Sequence, residues 1–308
     1  MTILRSETNL MKTLLVLICG AALAAGTSNA STLYGGLGGH GNGDSTNDGS
    51  LALVDQVTGA VTVIGHPAGV SRISGLAFDQ NGMLFATTQP GGGFPPPPGP
   101  TGASQLLRLD PGTGAALATV TVTDGTNGIA IADLAAQPGT GILFGIRGPN
   151  DQLNGQGKLY TINKTTGLAT LVGNTGDFFG SLAFASDGTL YMASADLDFA
   201  TDNIINIGLK TLNPTNAATL SFVPTNDLFG ALAVRPEDSA LFGGNGDSAQ
   251  LFRINVTTGT ETLVGSTGRT FIGDLAFLPA PEPASLTLFA VGCLVLGTMR
   301  RIAMRIRP

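Results

Sequence analysis

Two stretches of this 308-residue chain are near copies of one another: Gly167–Gly176 and Gly259–Gly268 share Thr-Leu-Val-Gly and a closing Thr-Gly. Gly59–Gly69 is a looser third copy. Short apolar strands that end in a turn recur at Leu51–Thr58, Leu106–Thr113, Leu159–Thr166 and Leu251–Thr258. Leu-Ala pairs begin at positions 76, 134, 182, 232 and 275, spaced by 58, 48, 50 and 43 residues. A unit of that length cannot bury its own faces, so copies must stack. About 40–50 residues is the scale of one four-stranded propeller blade.

Composition agrees. With 45 Gly, no Trp, 43% apolar and 12% charged residues, the chain is too apolar for disorder and too rich in Gly for a helical bundle. Two Cys cannot make a disulfide scaffold. The expected fold is all-β, a propeller of five four-stranded blades, with six blades as the alternative. An open β-solenoid competes, but it wants shorter and more uniform coils. Leu275-Ala276-Phe277 lacks partner strands and Thr32–Gly36 begins in mid-repeat, so the two ends are expected to complete one blade and close the ring. Over residues 31–280 the chain resembles secreted propellers of the general Tyr/Val/Asp-repeat type.

The termini read as addresses. Met11-Lys12, the apolar Thr13–Ala25 and the small-x-small Ser28-Asn29-Ala30 predict a signal helix within residues 1–30, cut by signal peptidase between Ala30 and Ser31. Met11 competes with Met1 as the start. A lipoprotein reading through Cys19 meets Ile18 where a small residue is wanted. At the other end, Pro281-Glu282-Pro283 precedes an apolar run over 284–299 and then Arg300 and Arg301. That pattern predicts a transmembrane helix over 284–299 with its arginines in the cytoplasm. The order of parts in 281–308 resembles the PEP-CTERM sorting signal. The resemblance implies a Gram-negative host, an exosortase as processing partner, an inner-membrane-anchored precursor with a periplasmic body, and delivery to the cell surface or the extracellular matrix.

Between those ends, residues 31–280 hold nine basic against nineteen acidic side chains, a net charge of −10, and no Cys. Such a surface disfavours nucleic acid. It suits calcium or uncharged polysaccharide. Oxygen ligands on Gly/Asn/Asp turns make Asp44 and Asp247, at matching loop positions, candidates for calcium. Asp196, Asp198, Asp202, Asn150, Asp151 and Asn154 lie in comparable loops. The same residue types also build turns without any ion. Asp133 and Asp274 sit just before the Leu of an innermost strand, as metal candidates at the channel mouth or as acceptors for turn amides. The Gly91–Pro100 insert holds a polyproline stretch beside Phe94.

Catalytic groups are scarce: His40 and His66 are the only histidines. Gly43-Asp44-Ser45 and Gly246-Asp247-Ser248 superficially resemble the nucleophile motif of GDS-type esterases, but the Asp-x-x-His that those enzymes need does not follow. Glycosidase chemistry needs two carboxylates flanking the bond, and residues 31–280 offer only Glu237 and Glu261 beside turn aspartates. No catalytic residue is assigned. The expected function is a secreted, non-catalytic propeller that binds or organises matrix polysaccharide through its long loops. The alternative is a calcium-dependent propeller hydrolase or lyase acting on a small ester, lactone, phosphate or sugar.

Overall fold

The computed structural model describes residues 31–38, 47–88, 102–147, 157–198, 200–201, 203–245, 248–268 and 272–279. Twenty strands form five four-stranded antiparallel sheets. Blade 1 is β4 (Ile73–Phe78), β5 (Leu84–Thr88), β6 (Gln105–Leu109) and β7 (Ala116–Thr121), from the inside outward. Blade 2 is β8 (Asp133–Ala136), β9 (Leu143–Arg147), β10 (Lys158–Ile162) and β11 (Ala169–Asn174). Blade 3 is β12 (Phe179–Phe184), β13 (Leu190–Asp198), β14 (Asn203–Leu212) and β15 (Thr219–Pro224). Blade 4 is β16 (Ala231–Val234), β17 (Leu241–Asn245), β18 (Gln250–Ile254) and β19 (Glu261–Ser266).

Blade 5 is shared between the ends of the body. Its inner strand β20 (Ile272–Phe277) pairs with β1 (Leu33–Leu37), followed by β2 (Leu51–Val54) and β3 (Val61–Gly65). The pairing sets Leu33 opposite Phe277 and Gly35 opposite Leu275. It removes the two free edges that an open ring would carry. Ser31 holds the start of β1 in place: its amide donates to the Glu237 carboxylate and its carbonyl accepts from Gln56 Nε2.

The apolar core is distributed. Each of five buried clusters lies between two consecutive blades, as where Phe242 and Ala231 of blade 4 meet Leu33, Val54 and Ile272 of blade 5. An inner strand therefore packs on both faces, and β4 and β20 are buried throughout. Rings cross the interfaces edge-on, as expected from the ring quadrupole. Tyr34 meets Phe78 at 5.1 Å, Phe144 meets Phe184 at 5.2 Å, and Phe242 meets Phe277 at 5.5 Å. In each case a second-strand ring of one blade packs on the Leu-Ala-Phe strand of the next.

The turn between the third and fourth strands is built the same way in every blade. An Asp or Asn closes the third strand and accepts nearby amides: Asp55 from Val57 and Thr58, each at 2.8 Å, and Asn255 from Thr257 at 2.9 Å and Thr258 at 3.1 Å. Asp110, Asn163 and Asn213 repeat the pattern. Four residues on, the chain enters the left-handed region at Gly59, Gly114, Gly167 and Gly259, and in blade 3 at Ala217. Glycine enters that region without steric cost.

Two sequence-based expectations are corrected. The fold was expected to combine the propeller with a signal helix and a transmembrane helix over 284–299. The described residues contain no α-helix, and none that is long and apolar enough to cross a membrane. The class is an all-β ring of five blades. Nothing among the described residues supports the expected signal helix or the membrane-anchored precursor. Residues 1–30 and 281–308, including Ala30, Pro281, Glu282, Pro283, Arg300 and Arg301, lie outside the described residues.

Candidate functional site

Strand direction puts the connections after the second and fourth strands of each blade at the end of the ring opposite the short stereotyped turns. Blade 3 departs most from the repeat there. Its strands β13 and β14 run to 9 and 10 residues, against four or five for their equivalents in other blades. The outer strand β15 stops where Pro224 pairs with Gly208, so Asn203–Asn206 extend beyond it.

This hairpin carries a mixed surface. Ile204 and Ile205 are each 41% exposed. A register shift between Ser194 and Asp196 bends the hairpin, and Asn206 takes a φ of 53° there. Asn206 Nδ2 donates to Asp196 Oδ2 at 3.0 Å. At the tip, Asp198 accepts from the Ala200 amide at 2.9 Å and the Thr201 hydroxyl at 2.7 Å.

An ion pair supports the hairpin at its base. Lys210 Nζ lies 2.5 Å from Asp177 Oδ1, and Asp177 is only 2% exposed. Burial raises the Asp177 carboxyl above the ordinary carboxylate range, while Lys210 pulls it back down. Next along the ring, Asn245 Nδ2 donates to Asp227 Oδ1 at 3.0 Å. Burial and the neighbouring Glu261 push Asp227 up as well. The sequence carried no signal for the Asp177–Lys210 pair, because 33 residues separate its members. The long interval between the Asp187-Gly188 turn and Asn213, free of Gly-rich loop, was the available clue to the hairpin.

Asp133 and Asp274 lie fully buried on the innermost strands β8 and β20. An innermost strand has a neighbour on one side only, so its inward amides need another acceptor. The two carboxyls supply it. Asp274 Oδ2 accepts from Leu76 of blade 1 at 2.5 Å and Oδ1 from Leu275 at 2.7 Å. Asp133 Oδ2 accepts from Leu182 of blade 3 at 3.2 Å, and Oδ1 accepts from Leu134. The residues fit the amide-acceptor reading, and each Asp ties its own blade to the next.

Among the described residues no three His, Cys, Asp or Glu come together in a way that could hold a metal ion. Asp44 and Asp247 lie outside the described residues, as do His40, Phe94, Asn150, Asp151, Asn154 and Asp202. His66 Nδ1 sits 3.3 Å from Ser50 Oγ, and Ser50 is buried beneath it.

These features define a five-bladed propeller with one elaborated blade. No family model matches the chain, and no curated protein matches it. A chain from the crystal structure of a nidogen/laminin complex is similar in fold, with a TM-score of 0.50 at 10% identity, over 82% of this chain and 100% of that one. A protein of unknown function from Bacteroides caccae gives 0.48 at 14% identity, over 81% and 99% of the two chains. The PQQ-bound aldose sugar dehydrogenase from Streptomyces coelicolor gives 0.42 at 13% identity, over 70% and 75%. Identities this low establish the fold alone.

Proposed function

We propose that this chain is a non-catalytic recognition propeller that binds neutral polysaccharide, with the blade 3 hairpin as its main contact. The observation that carries the reading is the overhang of β13 and β14. Among the described residues it is the only departure of this size from the repeat, and it combines exposed Ile204 and Ile205 with Asp196, Asp198 and Asn206. A few polar groups set beside apolar surface suit a ligand that offers C–H faces and hydroxyls. Recognition loops on rigid scaffolds are the common arrangement. The acidic body disfavours a polyanion. The resemblance of Pro281–Pro283 and Arg300-Arg301 to a sorting signal supports an exosortase-type processing partner.

The test is calorimetric titration of the full chain with a neutral bacterial exopolysaccharide. The double substitution Ile204→Ser, Ile205→Ser is expected to weaken binding by about tenfold, which corresponds to about 1.4 kcal/mol. Leu117→Ser, an exposed leucine on the rim of blade 1, is the control and should bind as the unaltered protein does. Equal losses in both variants, or no heat of binding with the unaltered chain, would end this reading.

A further inference from the structure

At the foot of the blade 3 hairpin, one buried acid is only half used. Asp177 belongs to the link between β11 of blade 2 and β12 of blade 3, and its side chain is 2% exposed. Oδ1 takes Lys210 Nζ at 2.5 Å. Oδ2 is buried, and among the described residues no donor reaches it. Thr175 stands close by, but its hydroxyl donates to the Gly157 carbonyl at 3.1 Å. Leaving a buried carboxylate oxygen without a donor is costly, and folded proteins rarely do so.

The surroundings define what this acceptor calls for. Lys210 already balances the charge of Asp177, and among the described residues no three His, Cys, Asp or Glu gather to hold a metal ion. The group that fits is therefore a neutral proton donor. Lys210, 17% exposed on β14, keeps ammonium protons beyond the one it gives to Asp177. On the same hairpin Asp196 Oδ2 takes Asn206 Nδ2 at 3.0 Å, and its charge acts on Asp177. A spare cationic donor beside spare carboxylate acceptors suits groups that both donate and accept. Hydroxyls do both.

We propose that Asp177 and Lys210 form a diol-binding subsite beneath the hairpin, where one hydroxyl of a neutral sugar donates to Asp177 Oδ2 and its neighbour accepts from Lys210 Nζ. The subsite rests on the polysaccharide reading above, and adds a polar anchor to the apolar contact of Ile204 and Ile205. Asp177 is the fixed member, since the Gly157 amide holds its carbonyl at 2.5 Å. Lys210 is the movable member: a flexible stem carries its ammonium, and a shift of that stem opens Oδ2 to the ligand.

The experiment is calorimetric titration of the full chain with the neutral exopolysaccharide that tests the hairpin, and with the same polymer after O-methylation. Methylation keeps the C–H faces of the sugar rings and removes the hydroxyl protons. The unaltered chain is expected to bind the methylated polymer at least about tenfold more weakly. The double substitution Asp177→Leu, Lys210→Met leaves the net charge unchanged and replaces both members of a buried pair by apolar groups, which folds commonly tolerate. It should bind the native polymer about tenfold more weakly and discriminate about tenfold less against the methylated one. Should it fail to fold, Asp177→Asn decides. Its carboxamide still accepts from Lys210 but turns the free acceptor into a donor, so the same loss of discrimination is expected. A folded variant that binds and discriminates as the unaltered chain does overturns the subsite, and leaves the hairpin reading standing if Ile204→Ser, Ile205→Ser weakens binding. No heat of binding with the unaltered chain ends both.

Discussion

Gly265, near the end of the outermost strand of blade 4, lies directly against the carbonyl oxygen of Thr58 in the outer turn of blade 5. A Cβ on residue 265 would stand 2.0 Å from that oxygen. The contact recurs around the ring: Gly65 meets Thr113 at 2.0 Å and Gly173 meets Asn216 at 2.2 Å on the same measure. Each outer turn thus docks on the last strand of the preceding blade. Where the receiving residue is not Gly, the turn glycine makes the approach, as Gly167 does at Thr121 and Gly259 at Pro224. Blade twist brings about this meeting at the rim, which a simple division of loops between two ends of the ring does not anticipate.

Gly265→Ala should therefore separate blades 4 and 5 at the rim. The expected loss is about 1–3 kcal/mol, typical of overpacking where backbone must move. Denaturant unfolding checks it. Gly112→Ala, whose Cβ would meet only the Asp110 carboxylate at 3.4 Å and whose φ, like that of Gly265, is not positive, is the control and should cost far less.

The outer turns predict a second effect. Asn255→Ala removes the acceptor for the Thr257 and Thr258 amides, which are exposed and can turn to water. The cost is expected to be about 1 kcal/mol. Asn255→Asp keeps the acceptor, as Asp55 and Asp110 do in their blades, and should restore stability in the same unfolding measurement.

Lys210→Met strands the Asp177 carboxylate, which is 2% exposed beside a lysine that is itself only 17% exposed. The loss near neutral pH should be about 2–4 kcal/mol, because a buried charge is left without its counter-ion. Burial already raises Asp177, and removing Lys210 raises it further. The variant's deficit should shrink as pH falls and the acid becomes neutral. Unfolding curves at several pH values read this directly.

Arg235 and Asp238 give a slope of the opposite sign. The Arg235 guanidinium, 2.6 Å from the carboxylate, lowers Asp238 to about 2. A lowered carboxyl contributes stability above its unfolded value, and that contribution is lost as pH falls toward about 2. Asp238 is 45% exposed, so solvent screening keeps the effect below about 1 kcal/mol. Asp238→Asn should remove it, seen as a shallower stability loss between about pH 5 and pH 2.

The repeat, the five blades and the ring closure were legible because each follows from short-range pattern. Leu-Ala-Phe marks strands buried on both faces, and Asp/Asn-x-x-Thr-Gly marks turns whose side chains and φ values are set locally. The unpaired partial copies at Thr32–Gly36 and Leu275–Phe277 announced the closing blade. The candidate site was much less legible. Asp196 and Asp198 were noticed as loop acids, but the hairpin that bears them depends on strand pairing that local composition does not encode. Asp133 and Asp274 were singled out by their equivalent repeat positions, and position alone left both metal binding and amide capping open.

By itself, then, the amino-acid order determined the unit and narrowed its number to five or six, because strand periodicity and turn chemistry act over a few residues. Only the tertiary structure decided what the units do to one another. It brought Thr58 against Gly265, set Lys210 on Asp177, and carried the Leu76 amide to the Asp274 carboxyl 198 positions away along the chain. Those relationships arise from the curvature and twist of stacked sheets. These depend on how five interfaces close together, and no single repeat contains that information.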